Sequence, residues 1–151
     1  MMTMVQDSAP RIADEHKRLV RQAYDVFSTG AVDELDQIVA PAFIDHRPDG
    51  GHQGLVELKA HVAELRAGIP DLVCAIDQLT AQGEKVAVQY RLLGRQSGVY
   101  QGVPATAKRV AVESIDVLRF AGGKVVERWS QLDDLGFYQQ IGVVPTAQSR
   151  Y

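Results

Sequence analysis

Acidic and aromatic residues lie together in the segment VVERWSQLDDLGFYQQIG, residues 125–142. A strand-like run passes through Trp129 and is followed by Asp133 and Asp134. A carboxylate at the end of such a strand can point into a cavity between sheet and helices, where removal from water suits it to proton transfer. The alternative is that these aspartates cap the helix that follows, because a helix begins with free backbone amides.

The preceding hairpin predicts a second acid on the same wall. If Gly122 and Gly123 are the two loop residues of a tight turn, Asp116 lies opposite Trp129. Because side chains alternate along a strand, Trp129 and Asp133 then share a face. Two carboxylates buried together would leave one of them protonated, which gives a proton donor and a base. The alternative for Asp116 is a salt bridge with a nearby arginine.

Three further side chains are candidates for the site. His46 ends the apolar segment FIDHRP and could share a proton with the acid, or it could lie at the sheet edge for structural reasons. Trp129 could form a flat pocket wall, or it could be core packing. Tyr90 shares a sheet face with three apolar residues, and that face or the opposite one lines any cavity. The three are Val86, Val88 and Leu92.

Periodicity predicts the elements that would position these residues. Apolar residues at helical spacing follow Pro10 and stop at Gly30, VDELDQIVA predicts a short second helix, and LVELKAHVAELRAG predicts a third. From Leu72 onward four strand-like runs are separated by turns. Helices followed by a meander indicate an α+β domain with the helices on one face of a curved sheet.

Composition limits the function classes. The chain has 151 residues, 46% of them apolar, which is typical of one globular domain. We expect tails at residues 1–9 and 146–151 around a single domain at 10–145. A net charge of −3 without a basic stripe argues against a nucleic-acid partner. No apolar run reaches the roughly 20 residues of a membrane span. With one cysteine and no metal-ligand spacing, we expect a soluble cytoplasmic protein without a metal site.

Several fragments, taken in order, resemble a known family. YDVFSTGAVDELDQIVAPAFIDHRP, GIPDL, GVYQGVPAT, IDVLRFAGGKVVERW and LDDLGFYQQIG are similar to the SnoaL-like polyketide cyclases of the nuclear-transport-factor-2-like superfamily. The resemblance covers roughly residues 17–142. It implies a cone-shaped fold, in which a strongly curved antiparallel sheet and N-terminal helices enclose a pocket.

The resemblance also implies a site. The family pattern of tryptophan, three residues and aspartate falls on Trp129 and Asp133, so Asp133 matches the general acid/base of an aldol-type ring closure that needs no metal or cofactor. His46 matches a family histidine. GRQSG puts Gln96 where many relatives have a histidine, and Gln96 cannot exchange a proton near neutral pH. Trp129, Asp116, Tyr90, Gln96 and Phe27 would bind the substrate.

We therefore expect a cofactor-independent cyclase or isomerase acting on a small hydrophobic, carbonyl-bearing polyketide-like intermediate. One alternative is epoxide opening by Asp116 and Asp133, and another is a ketosteroid-isomerase-like proton shuttle based on His46. A non-catalytic binding module is the rival from another class. A buried Asp133 would favour the enzyme, and a surface Asp133 would favour the binding module. A homodimer through the outer sheet face is also expected.

Overall fold

A computed structural model describes residues 8–47 and 52–145. Three helices flank one sheet, and the third follows its last strand. The elements are α1 (Ser8–Thr29), a short 3-10 helix (Val32–Gln37), β1 (Val39–His46), β2 (His52–Gln53), α2 (Leu55–Gly68), β3 (Val73–Gln82), β4 (Lys85–Arg95), β5 (Arg109–Ala121), β6 (Lys124–Leu132) and α3 (Asp134–Gln140). The predicted tails lie outside the described residues, except that α1 already begins at Ser8.

The sheet has the strand order β2-β1-β6-β5-β4-β3. Strands β3 to β6 form the predicted antiparallel meander, whereas β1 pairs with β6 in parallel. The expected all-antiparallel sheet is therefore mixed. A parallel pair needs a long connection, and α2 with the rest of the meander supplies one between β1 and β6. The α+β class with N-terminal helices is confirmed. Among the described residues no helix is long and apolar enough to cross a membrane.

The core lies between the helices and one face of this sheet. The predicted apolar stripe of α2 is confirmed, since its four members are buried: Leu55, Leu58, Val62 and Leu65. On β4 the face shared by Val86, Val88, Tyr90 and Leu92 is buried as well. That face of the sheet is therefore the interior one. The homodimer through the outer face stays a prediction.

A β-bulge changes the predicted register of the last hairpin. The turn at Gly122 and Gly123 is as expected, with Ala121 opposite Lys124. The pairing then shifts by one residue, so that Asp116 lies opposite Ser130. The predicted pairing of Asp116 with Trp129 is wrong, because one extra residue in a strand turns every later side chain to the other face.

The loop after β4 packs tightly on the end of α2. The Gly98 amide donates to the Gly68 carbonyl at 3.0 Å. A Cβ at position 98 would lie 2.1 Å from the Ala67 carbonyl oxygen. Because that atom belongs to the backbone, the loop or the helix end would have to move to admit a side chain.

We predict that Gly98→Ala lowers the free energy of unfolding by about 1–3 kcal/mol through overpacking. Urea denaturation measures this value. Ser97→Ala is the control, because Ser97 is exposed and should change stability by about 0.5 kcal/mol or less. Equal stabilities for the two variants would contradict the close approach.

Candidate active site

A buried arginine lies at the centre of the interior polar cluster. The Arg128 side chain is 5% exposed and the Asp45 side chain 1%. Arg128 Nε donates to Asp45 Oδ1 at 2.9 Å, and Nη2 donates to Asp45 Oδ2. Arg128 Nη1 lies 3.7 Å from Asp116 Oδ2. The guanidinium therefore joins two buried carboxylates.

Strand pairing places this arginine inside. In the parallel ladder Asp45 lies beside Arg128, and the next pair is His46 beside Trp129. Because side chains alternate along both strands, Asp45 and Arg128 face the core while His46 and Trp129 face outward.

Asp116 is fully buried and accepts three hydrogen bonds. The hydroxyls of Tyr24 and Tyr90 donate to its Oδ2, the latter at 3.0 Å. Ser114 Oγ donates to Oδ1 at 3.1 Å. The carboxylate of Asp116 thus accepts hydrogen bonds from residues of α1, β4 and β5. The predicted alternative, a pairing of Asp116 with an arginine, is confirmed by Arg128, and a role of Asp116 in the site stays a prediction.

The charges in this cluster follow from burial and from the neighbouring groups. Burial, and then the charge of Asp116, raises the pKa of both Tyr24 and Tyr90 well above the usual range. Burial alone would lower the pKa of Arg128, but Tyr24, Asp45 and Asp116 together outweigh it and raise that pKa. At neutral pH the two phenols are therefore protonated donors and the guanidinium is charged.

A polar cavity of about 30 Å³ adjoins the cluster. Its walls come from helices, strands and the loop after β4. They consist of Phe27, Arg47, His61, Leu65, Tyr90, Leu92, Tyr100, Gln101, Arg128, Ser130, Leu132 and Asp134. Phe27 and Tyr90 are therefore placed in the cavity wall as the sequence predicted, and their contact with a substrate stays a prediction. Arg47 donates from Nη1 to the ring of His61, with 2.8 Å to Nε2.

His46 and Trp129 lie on the outer face, so their predicted place in the pocket is wrong. Their rings stack with centroids 5.2 Å apart, and Trp129 is 37% exposed. His46 Nε2 lies 2.7 Å from Glu127 Oε2. The hydrogen bond from His46, followed by that from Arg119, lowers the pKa of Glu127. This is a surface cluster on the side of the sheet away from the cavity.

Asp133 also lies outside the cavity, contrary to the prediction. It is exposed and caps α3, since the Gly136 amide donates to Asp133 Oδ1 at 2.9 Å. It borders an open groove of about 320 Å³ on the outer face, beside Glu113, Ile115 and Gln131. The predicted alternative, a helix cap, is therefore the role that the structure shows for Asp133, while the exposed Asp134 is among the residues that line the cavity.

Gln96 is fully buried, but it does not line the cavity that the sequence predicted it to shape. Its amide nitrogen donates to the carbonyls of Gly98, Val103 and Pro104 at 3.0–3.2 Å. Its amide oxygen accepts from the Thr106 backbone and hydroxyl. Gln96 therefore holds the loop that carries Tyr100 and Gln101 to the cavity wall.

The sequence analysis missed three residues of the interior cluster, and the sequence indicated their burial to different degrees. Asp45 alternates with the core residue Phe43, and this spacing could have identified it as inward-facing. Tyr24 belongs to the apolar stripe of α1, which hides its polar end. Arg128 carried no such signal, because an arginine on a strand is usually solvent-exposed.

A mixed sheet covered by helices on one face, with a polar cavity between them, defines a small α+β domain built around an internal site. The sequence profile of the SnoaL-like polyketide cyclases matches residues 17–141. The chain belongs to this family.

Named relatives agree with this assignment. The aklanonic acid methyl ester cyclase DnrD of Streptomyces peucetius is 27% identical over 130 residues, which cover 82% of this chain and 88% of that protein. A structure from Jannaschia sp. CCS1, described as a SnoaL-like polyketide cyclase, is 27% identical with a TM-score of 0.81, covering 89% of this chain and 96% of that one. TsrD of Streptomyces laurentii, at 24% identity, shares the fold with a TM-score of 0.81 and covers 87% of this chain and 97% of its own.

We predict that Asp45→Ala lowers the free energy of unfolding by about 3–5 kcal/mol, because it leaves Arg128 buried with one of its two carboxylates missing. The matched control is Asp77→Ala, which breaks a similar two-bond pair with Arg91. Those side chains are 32% and 42% exposed, so the loss should be about 1 kcal/mol or less. Chemical denaturation of both variants compares them, and equal losses would contradict the burial argument.

Proposed function

We propose that this protein is a polyketide cyclase that closes a ring by acid/base chemistry without a cofactor, using Asp116 in place of the predicted Asp133. The family supports the cyclase class, and the name of the relative DnrD supports a substrate of the aklanonic acid methyl ester type. The observation that carries the proposal is the buried carboxylate of Asp116, held by two tyrosines and Arg128 beside a cavity.

The first step is removal of a proton from a carbon between two carbonyl groups. Tyr90 lines the cavity and donates to Asp116, so its oxygen can take the substrate proton while its own proton passes to Asp116 Oδ2. Tyr90 then remains a neutral phenol, consistent with its raised pKa. The carboxylate of Asp116 holds the proton until ring closure. Proton transfer and the positioning of the reacting carbons both contribute to the rate increase.

Ring closure follows from the enolate. The charge of Arg128 faces the cavity and stabilises the enolate oxygen, because fixed charges act strongly where water is scarce. The carbanion attacks a second carbonyl carbon, a carbon–carbon bond forms, and the resulting alkoxide takes back the proton through Tyr90. The net reaction is an aldol-type isomerisation in which Asp116 and Tyr90 are regenerated.

The cavity size adds a requirement. A volume of about 30 Å³ holds roughly two water molecules. A polycyclic substrate must therefore displace side chains of the cavity wall, which include Tyr100 and Gln101 on the loop held by Gln96. We infer that this loop moves when substrate binds.

Epoxide opening is the second candidate. The pair of acids suggested for it, Asp116 with Asp133, is wrong because Asp133 faces outward. Arg128 instead links Asp116 to Asp45. Tyr90, which lines the cavity and is hydrogen-bonded to Asp116, could give its proton to the epoxide oxygen while Asp116, through Tyr90, takes the proton of the attacking water molecule. Incorporation of ¹⁸O from labelled water distinguishes hydrolysis from ring closure, which incorporates none.

The binding-module alternative gains from the surface position of Asp133. By the criterion stated for Asp133, this position favours the binding module, and the enzyme proposal depends instead on Asp116 of β5 as the interior acid. A binding module would not need two phenols and a guanidinium arranged around it.

We predict that Asp116→Asn lowers the rate of ring closure of aklanonic acid methyl ester by about 10²–10⁴-fold, since the proton store is lost. The matched control, Asp133→Asn, should change the rate less than threefold, because that carboxylate only caps α3. Product formation is followed by liquid chromatography after circular dichroism has established that both variants fold.

The opposite pattern, in which Asp133→Asn abolishes ring closure and Asp116→Asn leaves it intact, would contradict the proposed site. Absence of turnover by the unmodified protein would contradict the substrate.

A further inference from the structure

A second polar pair lines the cavity beside the Asp45–Arg128 ion pair. His61 of α2 is buried, and Arg47 follows the end of β1. Arg47 Nη1 lies 2.8 Å from His61 Nε2 and 3.4 Å from Nδ1, so its main hydrogen bond goes to Nε2. Both residues belong to the cavity wall. The proposed proton transfers through Tyr90 involve neither of them.

Strand pairing sets Arg47 next to the buried ion pair. Asp45 and Arg128 are paired, inward-facing residues of β1 and β6. Because side chains alternate, the next inward positions are Arg47 and Ser130, and both line the cavity. Two residues of strand span about 6.6 Å, so the cavity carries two guanidinium groups at successive inward levels. One guanidinium can face each of the two carbonyl oxygens that take part in ring closure.

The partner of Arg47 is an imidazole on an otherwise apolar helix face. His61 belongs to the buried stripe of α2, with Leu58, Val62 and Leu65. An imidazole nitrogen accepts a hydrogen bond only while it carries no proton, since both nitrogens of a protonated ring are donors. The bond from Arg47 to Nε2 therefore requires a neutral His61. Protonation of His61 would replace this bond by repulsion between two cations.

We propose that Arg47 binds the oxygen of the carbonyl group under attack, and that His61 is a positioning residue that holds Arg47 there while its imidazole is neutral. This inference rests on the proposed function and extends it. As the carbon–carbon bond forms, the first carbonyl is restored and the π electrons of the second pass to its oxygen. That alkoxide faces Arg47 until the proton returns through Tyr90. Arg128 thus stabilises the first oxyanion and Arg47 the second.

The other ionisable groups around His61 respond differently to acid. Burial raises the pKa of Tyr90 and Tyr100, and the negative groups around Arg128 raise its pKa in spite of burial. These three groups therefore keep their protons at and below neutral pH. The carboxylates on this side are Asp134 of α3 and Glu64, which follows His61 on α2. Substitution separates their titration from that of His61.

Nuclear magnetic resonance tests the pair without substrate. The ¹³Cζ signal of Arg47, assigned from Arg47→Lys, should shift between about pH 8 and about pH 5 with the same midpoint as the His61 ring signals. His61→Gln should abolish the shift, because its amide oxygen accepts from Arg47 and does not titrate. Glu64→Gln, at an exposed position of the same helix, should leave it unchanged. No shift in the unmodified protein, a shift that persists in His61→Gln, or one that Asp134→Asn abolishes, would overturn the role of His61.

Ring closure of aklanonic acid methyl ester tests the role of Arg47. In variants with an unchanged circular dichroism spectrum, Arg47→Gln should lower kcat about 10²-fold, and Arg47→Lys should recover part of this loss. His61→Leu should lower kcat about tenfold. His61→Gln should restore most of that rate, without the fall from about pH 7.5 to about pH 5.5 expected of the unmodified protein.

An unchanged kcat in both Arg47 variants, with Asp116→Asn inactive, would overturn the carbonyl contact and leave the proposed function intact. Equal rates for His61→Leu and His61→Gln at every pH would overturn the positioning role. Absence of turnover by the unmodified protein would contradict the proposed function and the carbonyl contact together, while the titration of Arg47 decides its pairing with His61 independently.

Discussion

The interior of this protein is organised by the burial of one guanidinium group. A charge removed from water is stabilised only when carboxylates and hydrogen bonds surround it closely. Arg128 meets this condition through Asp45 on β1 and Asp116 on β5. Asp116 in turn holds Tyr24 of α1 and Tyr90 of β4. One ionic cluster therefore connects the long helix with four strands, and it borders the cavity where the family's chemistry would take place.

Two features of strand pairing place that cluster. The bulge in the β5–β6 hairpin turns Arg128 and Ser130 inward, and the parallel pairing of β1 sets Asp45 beside Arg128. The same two features turn His46 and Trp129 outward. A shift of one residue in strand pairing thus determines whether Trp129 or Arg128 of β6 faces the interior.

The fold could be predicted from the sequence because the spacing of apolar residues follows the pattern of buried side chains. The spacing of apolar residues predicts the buried stripe of α2 and the four strands of the meander. It also predicts that helices precede the strands. The parallel position of β1 was not accessible, since it depends on contacts between segments far apart in the chain.

The candidate site was accessible only in part. Phe27 and Tyr90 lie on elements whose inward face repeats regularly, and Asp116 was selected as an acid on the last hairpin. Asp133 was misplaced because a helix cap and a catalytic acid have the same sequence appearance. Arg128 was missed because its burial depends on its pairing with Asp45, whereas Asp45 alone carried a signal in its alternation with Phe43.

The most direct test of the central claim is to locate the bound substrate by ¹³C-detected NMR of tyrosine and aspartate side chains. Addition of aklanonic acid methyl ester should shift the Tyr90 Cζ and Asp116 Cγ signals and leave Asp133 Cγ unchanged. Shifts confined to Asp133 and the groove beside Ile115 would place the ligand on the outer face and contradict the account.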